Sequence, residues 1–350
     1  MRTHPWQFLI ATACFAASGA FAQASGDLAP LFADHTPIEV TIEAPLTTLQ
    51  SVRSDEDYLE GTFSYQTADG ETGELDLKLR TRGRLRLKPT TCNFPPVRLN
   101  FRKKQVRDTV FDGQDKLKLV AHCQNGNPSY EQLVLREYLA YRFFQTLTDR
   151  SFSVRLMRIN WVDTESDWTR YKVGFVIEDD DDVAERLGMT AKKTPNMTVA
   201  DLDPKQQNLV NIFQYMIGNT DFSLIQGVDE NDCCHNSVPM TGTGGPPYMP
   251  VPYDFDLAGI VNAPYATPNP KFPIRSVRQR LYRGRCVNNE YIDESLALIV
   301  EHRDEMMSII AELDVASDTT KKNVTRYLDA FFKEIADPKR VESKLRGRCL

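Results

Sequence analysis

The chain has 350 residues, 41% of them hydrophobic and 26% charged, with a formal net charge of −6. That is a globular composition, long enough for one large domain or two ordinary ones, and it excludes a disordered chain. The mildly acidic balance gives no expectation of nucleic-acid binding or of an electrostatic membrane patch.

At the start of the chain, Arg2 and His4 precede an apolar run from Phe8 to about Ala17. Ala20-Phe21-Ala22 follows as an A-x-A cleavage site, with Ala22-Gln23-Ala24 as the second choice. Residues 1–22 therefore read as a secretory signal peptide. The run falls short of the ~20 apolar residues that a spanning helix needs, so no integral membrane segment is expected. The expectation is export, to the periplasm or outside the cell. Removal of the signal takes Cys14 with it and leaves Cys92, Cys123, Cys233, Cys234, Cys286 and Cys349. An even number in an exported chain implies disulfides.

Residues 23–36 read as a flexible leader, and 37–350 as a single domain. From Pro37 the pattern is β. Val40/Ile42/Ala44, Leu75/Leu77/Leu79, Val97/Leu99/Phe101 and Leu117/Leu119 alternate, with turn signals at Asp69-Gly70 and Asp112-Gly113. Segments 96–102 and 116–122 form an expected antiparallel pair. Its first strand starts opposite the end of its second, which makes Cys92 and Cys123 neighbours and an expected disulfide. Ser129 with Gln132 gives a capping-box pattern for a helix to Thr148. Strands are expected at about 152–161 and 171–177. Asp203-Pro204 opens a helix running to about Gly218, residues 226–250 read as a loop, and two helices close the chain at about 290–313 and 318–335, with Pro338 stopping the second. The order predicts an α+β, bilobed fold. A β-rich N-terminal lobe (about 37–178) carries one helix, and a mainly helical C-terminal lobe (about 179–350) follows, with a cleft between them.

Two stretches carry the chemistry. Gly218-Asn219-Thr220-Asp221 places a carboxylate and a carboxamide at the end of an apolar helix, and Pro252-Tyr253-Asp254-Phe255-Asp256 places two carboxylates among aromatic residues. Carboxylates in apolar surroundings are costly unless paired or bound to a cation. Asp221, Asn236, Asp254 and Asp256 have the groups that phosphoryl transfer uses, a carboxylate near the attacking hydroxyl and oxygen ligands for Mg²⁺. On these residues alone, a helix cap beside a buried hydrogen-bonded Asp pair accounts for them equally well. Cys233-Cys234-His235 also has metal-ligand residue types, although disulfides are the stronger expectation in an exported chain. His122 and His302 read as structural. No G-x-S-x-G, Walker or H-E-x-x-H motif occurs, which argues against the common hydrolases and NTPases.

In their order along the chain, several segments resemble the CotH family of secreted and spore-coat atypical kinases. They are Arg82-Gly83, Pro96-Val-Arg-Leu-Asn-Phe101, Lys116-Leu-Lys-Leu-Val120, Leu135-Arg136-Glu137, Tyr171 to Glu178, Asn219-Thr-Asp221, His235-Asn236 and Pro252-Tyr-Asp254-Phe-Asp256. The resemblance covers about half of the chain, Leu75 to Gly259. It implies the bilobed atypical-kinase-like fold, with ATP and Mg²⁺ as cofactors and a protein or other hydroxyl group as phosphate acceptor. Asp221 would orient or deprotonate the acceptor. Asn236 and Asp254 would hold Mg²⁺, with Asp256 supporting Asp254. Glu178 would lie at the nucleotide edge or pair with a lysine. Family members usually carry lysines just before the strand matched here by Val97–Phe101. This chain has Asn93-Phe94-Pro95-Pro96 there, so the candidates for the phosphates are Lys88, Arg98 and Lys118. Fourteen residues separate Asp221 from Asn236, which the family keeps close, and a bridge from Cys233 or Cys234 to Cys286 would fold that insert back. The alternatives are a non-catalytic, pseudokinase-like envelope or binding protein, and a metal-dependent phosphodiesterase using the same acids with His235.

Overall fold

The computed structural model describes residues 26–194, 196–228 and 233–350. The signal peptide expected over 1–22 lies outside the described residues. Part of the expected leader packs against the fold. Leu31 and Phe32 are fully buried, and the Arg155 guanidinium donates to the carbonyls of Leu31 (3.2 Å) and Thr36 (2.6 Å) and to the Asp34 carboxylate (2.7 Å).

Seven strands follow as β1 (Ile38–Ala44), β2 (Leu59–Gln66), β3 (Thr72–Thr81), β4 (Val97–Phe101), β5 (Lys116–Val120), β6 (Val154–Asp163) and β7 (Thr169–Ile177). Helix α1 (Leu46–Val52) sits between β1 and β2, and α2 (Ser129–Leu147) between β5 and β6. The strands close into a barrel in the order β1-β2-β3-β4-β5-β7-β6. The seam is parallel, with Ile38 to Ala44 of β1 in register with Met157 to Asp163 of β6. Alternate residues point inward, as the sequence pattern requires. Phe63 meets Phe101 and Phe111 edge-on at 5.2 Å inside the barrel, so its interior is a packed core and not a channel.

The expected bilobed, kinase-like α+β fold is therefore corrected. The sheet has no open edge to present to a second lobe, because β1 pairs with β6 as well as with β2. The remainder is α3 (Asp180–Arg186), a small sheet of β8 (Thr190–Ala191), β9 (Ser237–Thr241) and β10 (Met249–Pro252), and the helices α4 (Pro204–Ile217), α5 (Ile292–Glu301), α6 (Arg303–Glu312), α7 (Asp318–Ile335) and α8 (Pro338–Lys344). A second hydrophobic core joins α2 and α4 to these helices and to the outer face of the barrel.

Local signals explain several ends. The Asp203 side chain accepts from the Gln206 N–H at 2.8 Å and caps α4, with Pro204 in its first turn. Ser129 and Gln132 do not form the expected capping box. The Ser129 hydroxyl donates to Asn127, and the Gln132 side chain instead accepts from the Ser317 N–H at the start of α7. The expected helix over 290–313 breaks at His302 into α5 and α6, and Pro338 begins α8 instead of ending the chain's helices. The loop expected over 226–250 contains β9 and the first two residues of β10.

Among the described residues three disulfides form, Cys92–Cys123, Cys233–Cys234 and Cys286–Cys349. The first is the expected one, with Cα atoms 4.6 Å apart. The expected bridge from Cys233 or Cys234 to Cys286 does not form. Cys286 pairs with Cys349, and Cys233 pairs with its neighbour. Bonded to each other, those two sulfurs are not thiolates and do not serve as metal ligands. Disulfides fit an oxidising compartment. No helix among the described residues is long and apolar enough to cross a membrane.

One contact brings the two sequence stretches together. Gly218 ends α4 in the left-handed conformation (φ 69°). Its carbonyl accepts from the Gly259 N–H at 3.0 Å, and the Ile217 carbonyl accepts from Ile260 at 2.9 Å. The Tyr327 hydroxyl fills the space beside both glycines. A Cβ at Gly259 would lie 2.5 Å from that hydroxyl and from the Val277 carbonyl oxygen. Gly259→Ala is expected to cost about 1–3 kcal/mol by overpacking, read as a lowered urea midpoint with an unchanged m-value. Stability equal to wild type would show that the contact yields.

Candidate functional site

The Asp221 loop hangs from the C-terminal end of α4. Asn219 Oδ1 accepts the Asp221 N–H at 2.9 Å and shapes the turn. His235 Nε2 lies 3.1 Å from Asp221 Oδ1, and Asn236 Nδ2 donates to Asp221 Oδ2 at 3.0 Å and to its carbonyl at 2.6 Å. The insert between them does not separate these residues. Ser223 and His235 exchange backbone hydrogen bonds of 2.9 and 3.1 Å, an isolated bridge that folds the chain back on itself.

The short sheet delivers Asp254. Ser237 of β9 pairs with Pro252 of β10, and the Tyr253 N–H donates to the Asn236 carbonyl at 3.1 Å. Asn236 and Asp254 thus leave the same end of a strand pair. Both have positive φ, 54° and 58°. Asn and Asp tolerate this region better than other side-chain-bearing residues, and such conformations gather at functional sites. The Asp254 N–H donates to the Tyr141 hydroxyl of α2 at 2.8 Å.

Arg86 is the centre of the acidic group. It is 8% exposed. It donates to Glu137 of α2 at 2.8 and 3.3 Å, to Asp254 at 3.2 Å and lies 3.1 Å from Asp256. Burial alone would lower its pKa. The Asp256 and Glu137 carboxylates more than offset that and hold it well above its ordinary value. Burial pushes the Asp256 carboxyl well above the usual carboxylate range, against the pull of Arg86, and Asp254 adds to the rise. Glu137 is raised for the same reasons. Arg86 thus stays charged, and the buried acids share one guanidinium.

Asp221, His235, Asn236, Asp254 and Asp256 line one cleft of about 560 Å³. Arg82, Arg84 and Arg86 line it too, from the segment after β3. That is an ordinary size for a small-ligand site. A niche of about 10 Å³ adjoins it, sharing Arg82, Arg86, Tyr253 and Asp254 and bounded by Lys118 and Glu137. A cavity that small is at the limit of holding one water molecule. Burial lowers the pKa of Arg82, and the Asp254 charge opposes that.

The other expected basic residues lie elsewhere. Lys118 reaches the niche wall, but its ammonium pairs with Asp180 at 2.8 Å. Arg98 is the cross-strand neighbour of Lys118 and does not line the cleft or the niche. Lys88 is exposed and does not line them either. Glu178, expected at the nucleotide edge or paired with a lysine, does not line the cleft or the niche and is buried against Arg186 (2.8 and 3.1 Å) and the Ser153 N–H (2.9 Å). Sequence reasoning passed over Arg86 and Tyr141 as site residues and kept Arg82 and Glu137 only as parts of motifs. The signal was the density of basic residues in Arg80-Thr-Arg-Gly-Arg-Leu-Arg-Leu-Lys88, directly after a strand.

Among the described residues no group of three or more His, Cys, Asp or Glu side chains is disposed to hold a metal ion. Asn236 and Asp254 nevertheless bring oxygen donors to the same cleft, and the Asp254 side chain is 38% exposed. Mg²⁺ is commonly held by one or two protein oxygens plus phosphates and water. Two such donors do not make a free-standing metal site, and an ion here would need further oxygens from phosphate or water. No protein-family model and no curated protein matches the chain.

Proposed function

We propose that this cleft is a phosphoryl-transfer site, and that the chain is an exported phosphotransferase using ATP and Mg²⁺ on a protein or other hydroxyl acceptor. The observation that carries this reading is the convergence of Asp221, Asn236 and Asp254 in one cleft that Arg82 and Arg84 also line. Their order along the chain resembles that of CotH kinases, although fourteen residues part Asp221 from Asn236 and the scaffold is a closed barrel. Asp221, held by His235 and Asn236, would take or orient the acceptor proton. Asn236 and Asp254 would hold Mg²⁺, which supplies charge neutralisation on the phosphates when bound. Asp256 would support Asp254 through Arg86. Arg82 is better placed than Lys88, Arg98 or Lys118 to meet a phosphate. The expected signal peptide and the disulfides support export to the periplasm or outside the cell.

A second reading, a non-catalytic envelope or binding protein, draws on one feature. Arg86 already occupies Asp254 and Asp256, as an ion pair would in a site that no longer binds metal.

Thermal shift separates the two. A ligand that binds only the folded state stabilises it by about 2.7 kcal/mol at a hundred times its Kd. Mg-ATP is expected to raise the melting temperature beyond Mg²⁺ alone, and Asp254→Ala to abolish that increment. Asp221→Asn is expected to keep the increment and to lower phosphoryl transfer by about 10²–10⁴-fold. Equal, negligible responses from wild type and Asp254→Ala would leave the binding-protein reading standing.

A further inference from the structure

The Asp221 side chain is held by His235 and Asn236, but the loop that carries it lies outside any helix or strand. Its backbone is gripped from another part of the chain. Arg283 Nη1 donates to the Thr220 carbonyl at 2.9 Å and to the Phe222 carbonyl at 2.5 Å, one on each side of Asp221. The guanidinium carbon lies 4.7 Å from the centroid of the Phe222 ring and 4.6 Å from that of Phe272. Two charge-assisted hydrogen bonds and two cation–π contacts thus converge on one guanidinium, three of the four from the turn that carries Asp221.

The segment carrying Arg283 is itself anchored. The Leu350 N–H donates to the Gly284 carbonyl at 2.8 Å, and the Cys286 N–H donates to the Leu350 carbonyl at 3.1 Å. Cys286–Cys349 makes that pairing covalent, with Cα atoms 5.0 Å apart. Burial pushes the Arg283 guanidinium down to about 10, Arg285 adds to this and Asp221 opposes it. The group remains a cation at neutral pH.

We infer that Arg283 is the positioning residue of the Asp221 loop, fixing the carboxylate through the two carbonyls that flank it, with the Cys286–Cys349 disulfide as its anchor. The catalytic consequence rests on the phosphoryl-transfer reading, whereas the clamp itself does not. Arginine suits the task because one guanidinium nitrogen, Nη1, reaches both carbonyls while the planar face lies against the rings. Lysine retains the charge and the donors but loses the planar stacking.

Hydrogen exchange tests the clamp directly. In Arg283→Met, the peptide spanning residues 219–226 is expected to exchange about tenfold faster, with α4 and barrel peptides unchanged. Arg283→Lys should fall between the two. In turnover assays the Met variant is expected to lose about 10²-fold in kcat, the cost of displacing a reacting group by about 1 Å, with KM for Mg-ATP held within about twofold. Partial recovery in the Lys variant completes the expectation. If Arg283→Met is insoluble, the Cys286→Ser/Cys349→Ser double variant removes the anchor, and the same peptide should again exchange faster. Unchanged exchange over 219–226 overturns the inference. So does a Met variant whose α4 and barrel peptides loosen as much as the loop. A wild-type protein without ATP turnover removes the phosphoryl-transfer reading, and exchange still decides the clamp.

Discussion

Replacing Arg86 with methionine is expected to destabilise the protein by about 3–5 kcal/mol at pH 7, the usual cost of removing one partner from a buried ion pair. The loss is large because Arg86 serves three acids at once. Without it, Glu137, Asp256 and the inner oxygen of Asp254 lose their cation, in a place where Glu137 is 1% and Asp256 6% exposed. Their folded-state pKa values already stand above the ordinary range, so the unpaired acids would take up protons on folding. A raised folded-state pKa favours folding at low pH, and that contribution disappears as pH rises. Arg86→Met should therefore be weakest at neutral pH and recover part of its stability under mild acid. Glu137→Gln in the same chain removes one stranded charge, so the double variant should be more stable than the sum of the single changes predicts. Urea denaturation of the four proteins at two pH values measures this coupling. A loss below about 1 kcal/mol for Arg86→Met would mean that water reaches these acids freely.

The parts of this arrangement that were legible in the sequence are those written in local chemistry. Asp203, Pro204 and Gly218 mark both ends of α4, because capping needs only a few neighbouring residues. Cys92–Cys123 followed from the pairing of two adjacent strands, and β4 and β5 do pair, with Val97 opposite Leu119. The three oxygen-bearing residues Asp221, Asn236 and Asp254 were legible as residue types and do share one cleft.

The parts that were not legible depend on contacts between distant residues. Alternation shows that Val40 and Ile42 face a core, but not that β1 will find β6 more than a hundred residues later and close the sheet. The strand Met249–Pro252 was hidden by its prolines. Proline lacks an N–H and is tolerated on an edge, which is where β10 lies in its sheet. Arg86 was obscured by its surroundings, one basic residue among several, and only the fold shows it is the one drawn in by Glu137. Cys233 bonds to Cys234 and Cys286 to Cys349, in place of the longer bridge expected to fold the insert back. The return of the chain to Asp221 is made by backbone hydrogen bonds between Ser223 and His235.

Acid should also weaken the barrel through His122, by about 3 kcal/mol between pH 6.5 and 4. The imidazole is fully buried. It stacks on Phe94 at 4.4 Å and approaches Trp161 at 6.2 Å, and its Nε2 meets Asn125 Oδ1 at 2.8 Å. Burial lowers its pKa from 6.5 to about 4, the Asn125 bond opposes that and Lys172 adds to it. The folded state therefore holds a neutral ring in a range where the unfolded chain binds a proton. Stability from this group is complete above pH 6.5 and drains away as pH falls towards 4. Other groups act in overlapping or neighbouring windows. Asp182, raised to about 6 by burial and then by Asp179, favours the folded state as pH falls and works against the His122 effect. Asp163, held near 2 by Thr47 and Ser166 against the effect of its burial, matters only below about 4. The comparison that isolates His122 is the difference between wild type and His122→Gln, which cannot take a proton. The variant is expected to be less stable than wild type at pH 7, because it gives up the stack on Phe94. That gap should narrow by about 3 kcal/mol at pH 4. A gap that stays constant from pH 7 to pH 4 would show that His122 titrates alike in the folded and unfolded chains.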